Sequence, residues 1–168
     1  MGEERNEREV IVASYAEGPR QLEAALAGLP ERDLDVAESE DAWTVRQIVH
    51  HVADGDDIWK VFIKRAIGNP GGHFDLQWYW DNPQDEWVEY WAYAEREIAP
   101  SLALFRANRA HIVQLLESVP AAWEQSLVVR WPDGEEDLLS VAWVVEMQAR
   151  HVPGHVDDIR RARKVRGV

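Results

Sequence analysis

The chain has 168 residues, 46% of them hydrophobic, no cysteine, and a formal net charge of -13 from 18 basic and 31 acidic side chains. That charge argues against nucleic acid and anionic membrane surfaces as partners, because both need clustered Lys and Arg. The lack of cysteine rules out disulfides, thiolate nucleophiles and thiolate metal ligands, and no run of about 18 apolar residues exists to span a membrane.

The length suits one domain over 1–168 with a real core. Nine tryptophans need partners for their indole N–H groups, so pockets and interfaces should be Trp-lined. The start, Met1-Gly2-Glu3-Glu4-Arg5, is charged and lacks the apolar core of a signal peptide. Asn6 stands where a myristoylation site needs Ser or Thr. The expectation is a cytoplasmic protein. The basic run Arg160, Arg161, Arg163, Lys164, Arg166 reads as cations complementing the dipole of a last helix.

The first helix is expected over 7–29, on the spacing of Val10, Tyr15, Leu22 and Leu26. Gly18-Pro19 falls inside it and predicts a kink or break. The second helix has the clearest start, because Thr44 and Gln47 form a capping box. Val45, Ile48, Val52, Ile58, Phe62 and Ile63 carry its apolar face, and Gly68-Asn69-Pro70 stops it. Residues 71–99 form a long aromatic connection with a short helix from Glu86 onward. Pro100 opens the third helix, whose stripe is Leu102, Phe105, Ile112 and Leu116. Trp131-Pro132-Asp133-Gly134 is a turn, with a small hairpin strand over 127–130 before it. Ser140 caps the fourth helix, which runs to about 163 with Val141, Val144, Gln148, His151, His155 and Ile159 inward. This is an all-α four-helix bundle. Its second connection is long enough to join parallel neighbours by a crossover.

His151 and His155 lie one turn apart on one face of the fourth helix, so both imidazoles can converge on one cation. Two core-facing histidines without a metal would need buried partners for four nitrogens. A third ligand must come from another helix. His51 shares a face with Ile48, Gly55, Ile58 and Phe62, and His50 points about 100° away. The ligand set is therefore His51, His151 and His155. His50 reads as a helix-surface residue or as a support behind the ligands. His73 and His111 read as loop and helix-surface residues. Imidazole suits zinc, nickel, iron and cobalt.

The stretch Ala42-Trp43-Thr44-Val45-Arg46-Gln47-Ile48-Val49-His50-His51-Val52-Ala53-Asp54 resembles the first signature of DinB-like proteins. His151-x-x-x-His155 with Ile159-Arg160 resembles their second. Phe74-Asp75-Leu76-Gln77-Trp78, Gly18-Pro19 and Arg109 are similar to features of the YfiT-like branch. The resemblance covers nearly the whole chain. It implies an up-down-down-up bundle and a three-histidine metal site of His51, His151 and His155 with open positions. Relatives are commonly named metal-dependent hydrolases. Others are S-transferases or isomerases that use low-molecular-weight thiols such as bacillithiol or mycothiol. The resemblance also implies a homodimer and a divalent ion, zinc or nickel before iron, cobalt or manganese. One departure is Pro153-Gly154 between two ligands. If the helix restarts at Pro153, His151 falls outside it.

Three neutral ligands leave an ion its full charge, for activating water or holding a thiolate. Asp54, three residues after His51, either orients an imidazole N–H or is an exposed helix charge. Arg109 interrupts an apolar stripe and either fixes a substrate carboxylate or makes a structural ion pair. Trp78-Tyr79-Trp80 either walls a pocket or covers the bundle end. The other reading is a non-catalytic bundle that binds a small molecule or partner, with a vestigial or structural metal site.

Overall fold

The computed structural model describes the backbone of residues 2–167 and the side chains of 6–167, so the side chains of Met1-Gly2-Glu3-Glu4-Arg5 lie outside it. Four long helices dominate: α1 (Gly2–Leu26), α2 (Val45–Gly68), α3 (Ile98–Ser118) and α4 (Val141–Arg166). Short helices at Gln77–Asp81 and Trp87–Tyr90 lie in the connection between α2 and α3. Strands β1 (His73–Phe74), β2 (Ser126–Arg130) and β3 (Glu136–Ser140) form a small sheet in the order β1-β2-β3. Among the described residues no helix is long and apolar enough to cross a membrane.

Local chemistry sets the helix starts. Thr44 Oγ1 accepts from the Gln47 amide at 3.2 Å, and the Gln47 side chain accepts from the Thr44 amide at 2.8 Å. Both orphan donors of the first turn of α2 are thereby satisfied. Ser140 Oγ accepts from the Trp143 amide at 3.1 Å and starts α4. Gly134, at φ 89, takes the left-handed turn position that lets β2 fold back on β3. In β2 the inward residues are Leu127 and Val129. β1 runs parallel to β2 with His73 opposite Val128, so His73 lies on an exposed strand rather than in a loop.

Cross-contacts fix the helix directions. Gly18 lies against Val152, and Arg163 Nη1 donates to the Ala25 carbonyl at 2.6 Å, so α1 and α4 run the same way. His50 meets Ser101 and Lys60 meets Asn108, so α2 and α3 run the same way. Arg106 meets Glu23 and Arg8 donates to the Leu116 carbonyl, so α1 and α3 are opposed. The order is up-down-down-up, and residues 69–97 make the crossover that parallel α2 and α3 require.

Two of the long helices carry an internal proline. α1 is unbroken at Gly18-Pro19. Its expected apolar residue Val10 is 61% exposed, because five residues place it about 140° around the helix from the buried Tyr15. α4 likewise continues through Pro153-Gly154. Both residues are exposed, so the proline ring lies on the solvent side and the one-turn spacing of His151 and His155 is kept.

The core has two parts. One gathers Phe62, Ile112, Leu116, Leu127 and Val141, and the other Leu22, Ile48, Phe105, Val152 and Ile159. The Arg109 guanidinium joins them, 3.8 Å from the Tyr15 ring in the first and 4.9 Å from the Phe105 ring in the second.

Candidate metal centre

α2 delivers His51 to its seam with α4, and α4 delivers His151 and His155 from successive turns. The Nε2 atoms of His51 and His151 stand 3.3 Å apart, and those of His151 and His155 3.0 Å apart. One ligand atom from each of the three residues lies within 4.8 Å of the others. Ligand nitrogens about 2.0–2.1 Å from one ion stand about 2.8–3.4 Å apart at octahedral to tetrahedral angles. The two resolved separations fit that range.

His51 is 4% exposed, while His151 and His155 are half-buried. Burial, reinforced by His155 and His151, pushes the His51 pKa down to about 2. Burial, with His155 and Arg109 adding to it, pushes His151 down to about 4. Burial also lowers His155, against the opposing pull of Asp158. All three rings are therefore neutral at pH 7, the form a metal requires. Nδ1 of His51 and of His151 are buried without a hydrogen-bond partner, whereas Nδ1 of His155 is 3.1 Å from Asp158 Oδ2.

Tryptophans wall the cluster. The Trp43 ring is edge-on to His51 at 4.5 Å and stacked on His155 at 6.3 Å. Trp87, from the crossover, lies 6.3 Å from His51 and donates from Nε1 to the Asn82 carbonyl. A cleft of about 200 Å³ is lined by Glu38, Ala42, Trp43, Ile48 and Asp158, and it shares Trp43 and Asp158 with the surroundings of His155.

The other expected residues fall elsewhere. His50 is fully buried rather than on the helix surface. Its Nδ1 lies 2.8 Å from Ser101 Oγ, and its Nε2 lies 3.3 Å from the Arg96 carbonyl. The crossover and α3 cover that face of α2. Asp54 does not orient an imidazole: it pairs with Arg96 at 3.5 Å and faces the Tyr93 hydroxyl, whose pKa is raised by burial and then by Asp54. Arg109 is 1% exposed and has no nitrogen left for a substrate. Nε donates to Asp56 at 2.6 Å, Nη1 to the Tyr15 carbonyl at 2.9 Å, and Nη2 to the Gln148 carbonyl at 3.0 Å. It is the structural ion pair. Tyr79 and Trp80 are half-buried and pack against the core, with Trp80 Nε1 donating to the Arg130 carbonyl, while the half-exposed Trp78 stacks on Trp87. His111 is exposed on α3. Sequence reasoning missed Trp43, Trp87 and Asp158 as neighbours of the site. Of these, Asp158 carries a readable signal, a carboxylate three residues after His155.

Fold and site together define a helical-bundle protein with three imidazoles gathered at one seam. The chain belongs to the DinB superfamily, whose family model matches residues 14–159. It is 28% identical over 156 residues to a protein of Geobacillus thermodenitrificans, covering 93% of this chain and 84% of that one. It is 27% identical over 164 residues to one of Geobacillus kaustophilus, covering 98% and 88%. Both relatives carry the name metal-dependent hydrolase. In fold it is similar to YfiT from Bacillus subtilis, with a TM-score of 0.78 at 20% identity over 95% of this chain and 87% of that one.

Proposed function

We propose that this chain is a divalent-metal-dependent hydrolase that holds one ion, zinc or nickel, through Nε2 of His51, His151 and His155. The observation that carries this reading is the gathering of three neutral imidazoles whose ligand nitrogens lie within 4.8 Å of one another, with His151 Nε2 3.3 Å from that of His51 and 3.0 Å from that of His155. The names of the relatives support it. When bound, the ion supplies a Lewis acid that polarises a carbonyl and acidifies a water. The residues of the chain supply the rest. Three uncharged ligands leave the ion its full charge, and Trp43 and Trp87 keep bulk water from two sides.

Metal analysis of protein purified without chelators should find close to one ion per chain, and His151→Ala should lose it. A panel of ester and amide substrates should then show hydrolysis that stops on chelation and returns with added metal. Wild-type protein that takes up neither Zn²⁺ nor Ni²⁺ overturns the reading. A metal-loaded protein that transfers a small thiol instead of hydrolysing moves it to the S-transferases.

A further inference from the structure

Among the three gathered imidazoles, His155 alone has a hydrogen-bond partner for its outer nitrogen. Asp158 sits three residues on, which places its carboxylate over the same helix face. Asp158 is itself gripped, because its Oδ1 accepts from Arg161 Nη2, and Arg161 Nε donates to Glu38 Oε2 at 2.8 Å. Glu38 lies on the α1–α2 loop, which also carries Trp43, the ring stacked on His155. One loop and one helix turn thus hold the same imidazole from two sides.

We propose that Asp158 is the positioning residue of the site: it fixes His155 in the tautomer with hydrogen on Nδ1, and Arg161 and Glu38 hold Asp158 in that place. The consequence for affinity rests on the metal-binding reading above. A carboxylate only accepts, so the Nδ1 of His155 carries the proton and its Nε2 presents a lone pair to the centre. His151 Nε2 lies 3.0 Å away, so that lone pair faces the other gathered imidazoles. An ion then meets His155 already in the tautomer that ligates through Nε2. Groups behind a ligand typically change metal affinity by about 10–100-fold. The Asp158 side chain is 39% exposed, so the low end, about tenfold, is expected.

Two measurements on the full chain decide it. Nitrogen-15 NMR of the metal-free protein should show His155 protonated at Nδ1, with this preference lost in Asp158→Ala and largely kept in Asp158→Asn, whose amide oxygen still accepts. Competition titrations with Zn²⁺ and with Ni²⁺ should show about tenfold weaker binding in Asp158→Ala, a smaller loss in Arg161→Ala, and no change in Asp157→Ala. The last removes an equal charge that faces Arg160 instead. A wild-type His155 protonated at Nε2 overturns the proposal. So does Asp158→Ala binding metal like wild type, or Asp157→Ala losing as much affinity. Failure of wild type to bind either metal overturns the functional reading, and the NMR arm still decides the positioning role.

Discussion

Arg109 on α3 supplies the hydrogen bond that Pro19 on α1 cannot make. Pro19 has no N–H to give the carbonyl of Tyr15 four residues back, and Arg109 Nη1 donates there instead at 2.9 Å. The helix runs on through the proline because its missing bond is replaced from outside. The same guanidinium reaches Asp56 on α2 and the Gln148 carbonyl on α4, so one side chain ties all four long helices.

Arg109→Ala should therefore cost about 3–5 kcal/mol, because it strands the Asp56 carboxylate in a buried site and frees the Tyr15 carbonyl. Arg109→Lys should recover little, since a single ammonium cannot span three partners in a fork. Urea denaturation midpoints check both. A midpoint for Arg109→Ala equal to wild type would show that the tie carries no stability.

Close packing at Gly18 gives a second expectation. A Cβ there would lie 3.3 Å from Val152 Cγ2 and 3.5 Å from both Arg109 Nη1 and the Phe105 ring. Gly18→Ala needs only a small yield by Val152. Gly18→Val must push α1 away from α3 and α4 and should cost about 1–3 kcal/mol. The two thermal transitions measured side by side test this, and equal values would mean that the seam has slack.

Thr44→Ala removes the side-chain half of the capping box and should cost about 1 kcal/mol. Thr44→Ser should be close to wild type. Chemical denaturation distinguishes them.

The metal-free protein should lose stability in mild acid. His51 and His151 have folded-state pKa values of about 2 and about 4, below the ordinary 6.5. Below pH 6.5 the unfolded chain binds more protons than the folded one, so stability that is complete above 6.5 drains away as pH falls toward 4. Each ring should contribute about 1 kcal/mol of loss between pH 7.5 and 5.5. Thermal melts in chelator should show a shallower decline for His151→Gln than for wild type. Identical slopes would mean that burial does not hold the ring neutral.

What could be read from the sequence follows from the range of each interaction. The Thr44 box, the Ser140 cap and the turn at Gly134 depend on residues a few positions apart, and they stand where expected. The clustering of His51, His151 and His155 was legible because each falls on the apolar side of its helix. Asp54 and Asp158 show the limit. Both lie three residues after a histidine of the cluster, yet Arg96 from the crossover claims Asp54, and only Asp158 meets a ring. Nothing within α2 announces Arg96, which arrives from 42 residues away. His50 looked outward for the same reason, since its cover belongs to another part of the chain. Gly18-Pro19 alone predicts a kink or break, because the donor that replaces the missing bond sits on α3, far along the chain.

The crossover does more than connect. Since α2 and α3 point the same way, the chain must retrace the length of the bundle before α3 can begin. That return path lays Trp87 against His51 and, farther along, presses the Arg96 carbonyl onto His50. A bundle of simple hairpins has no such return strand. Here the direction of two helices builds one wall around the histidine cluster, so substitutions in this stretch would change what reaches the three imidazoles while the four helices stay as they are.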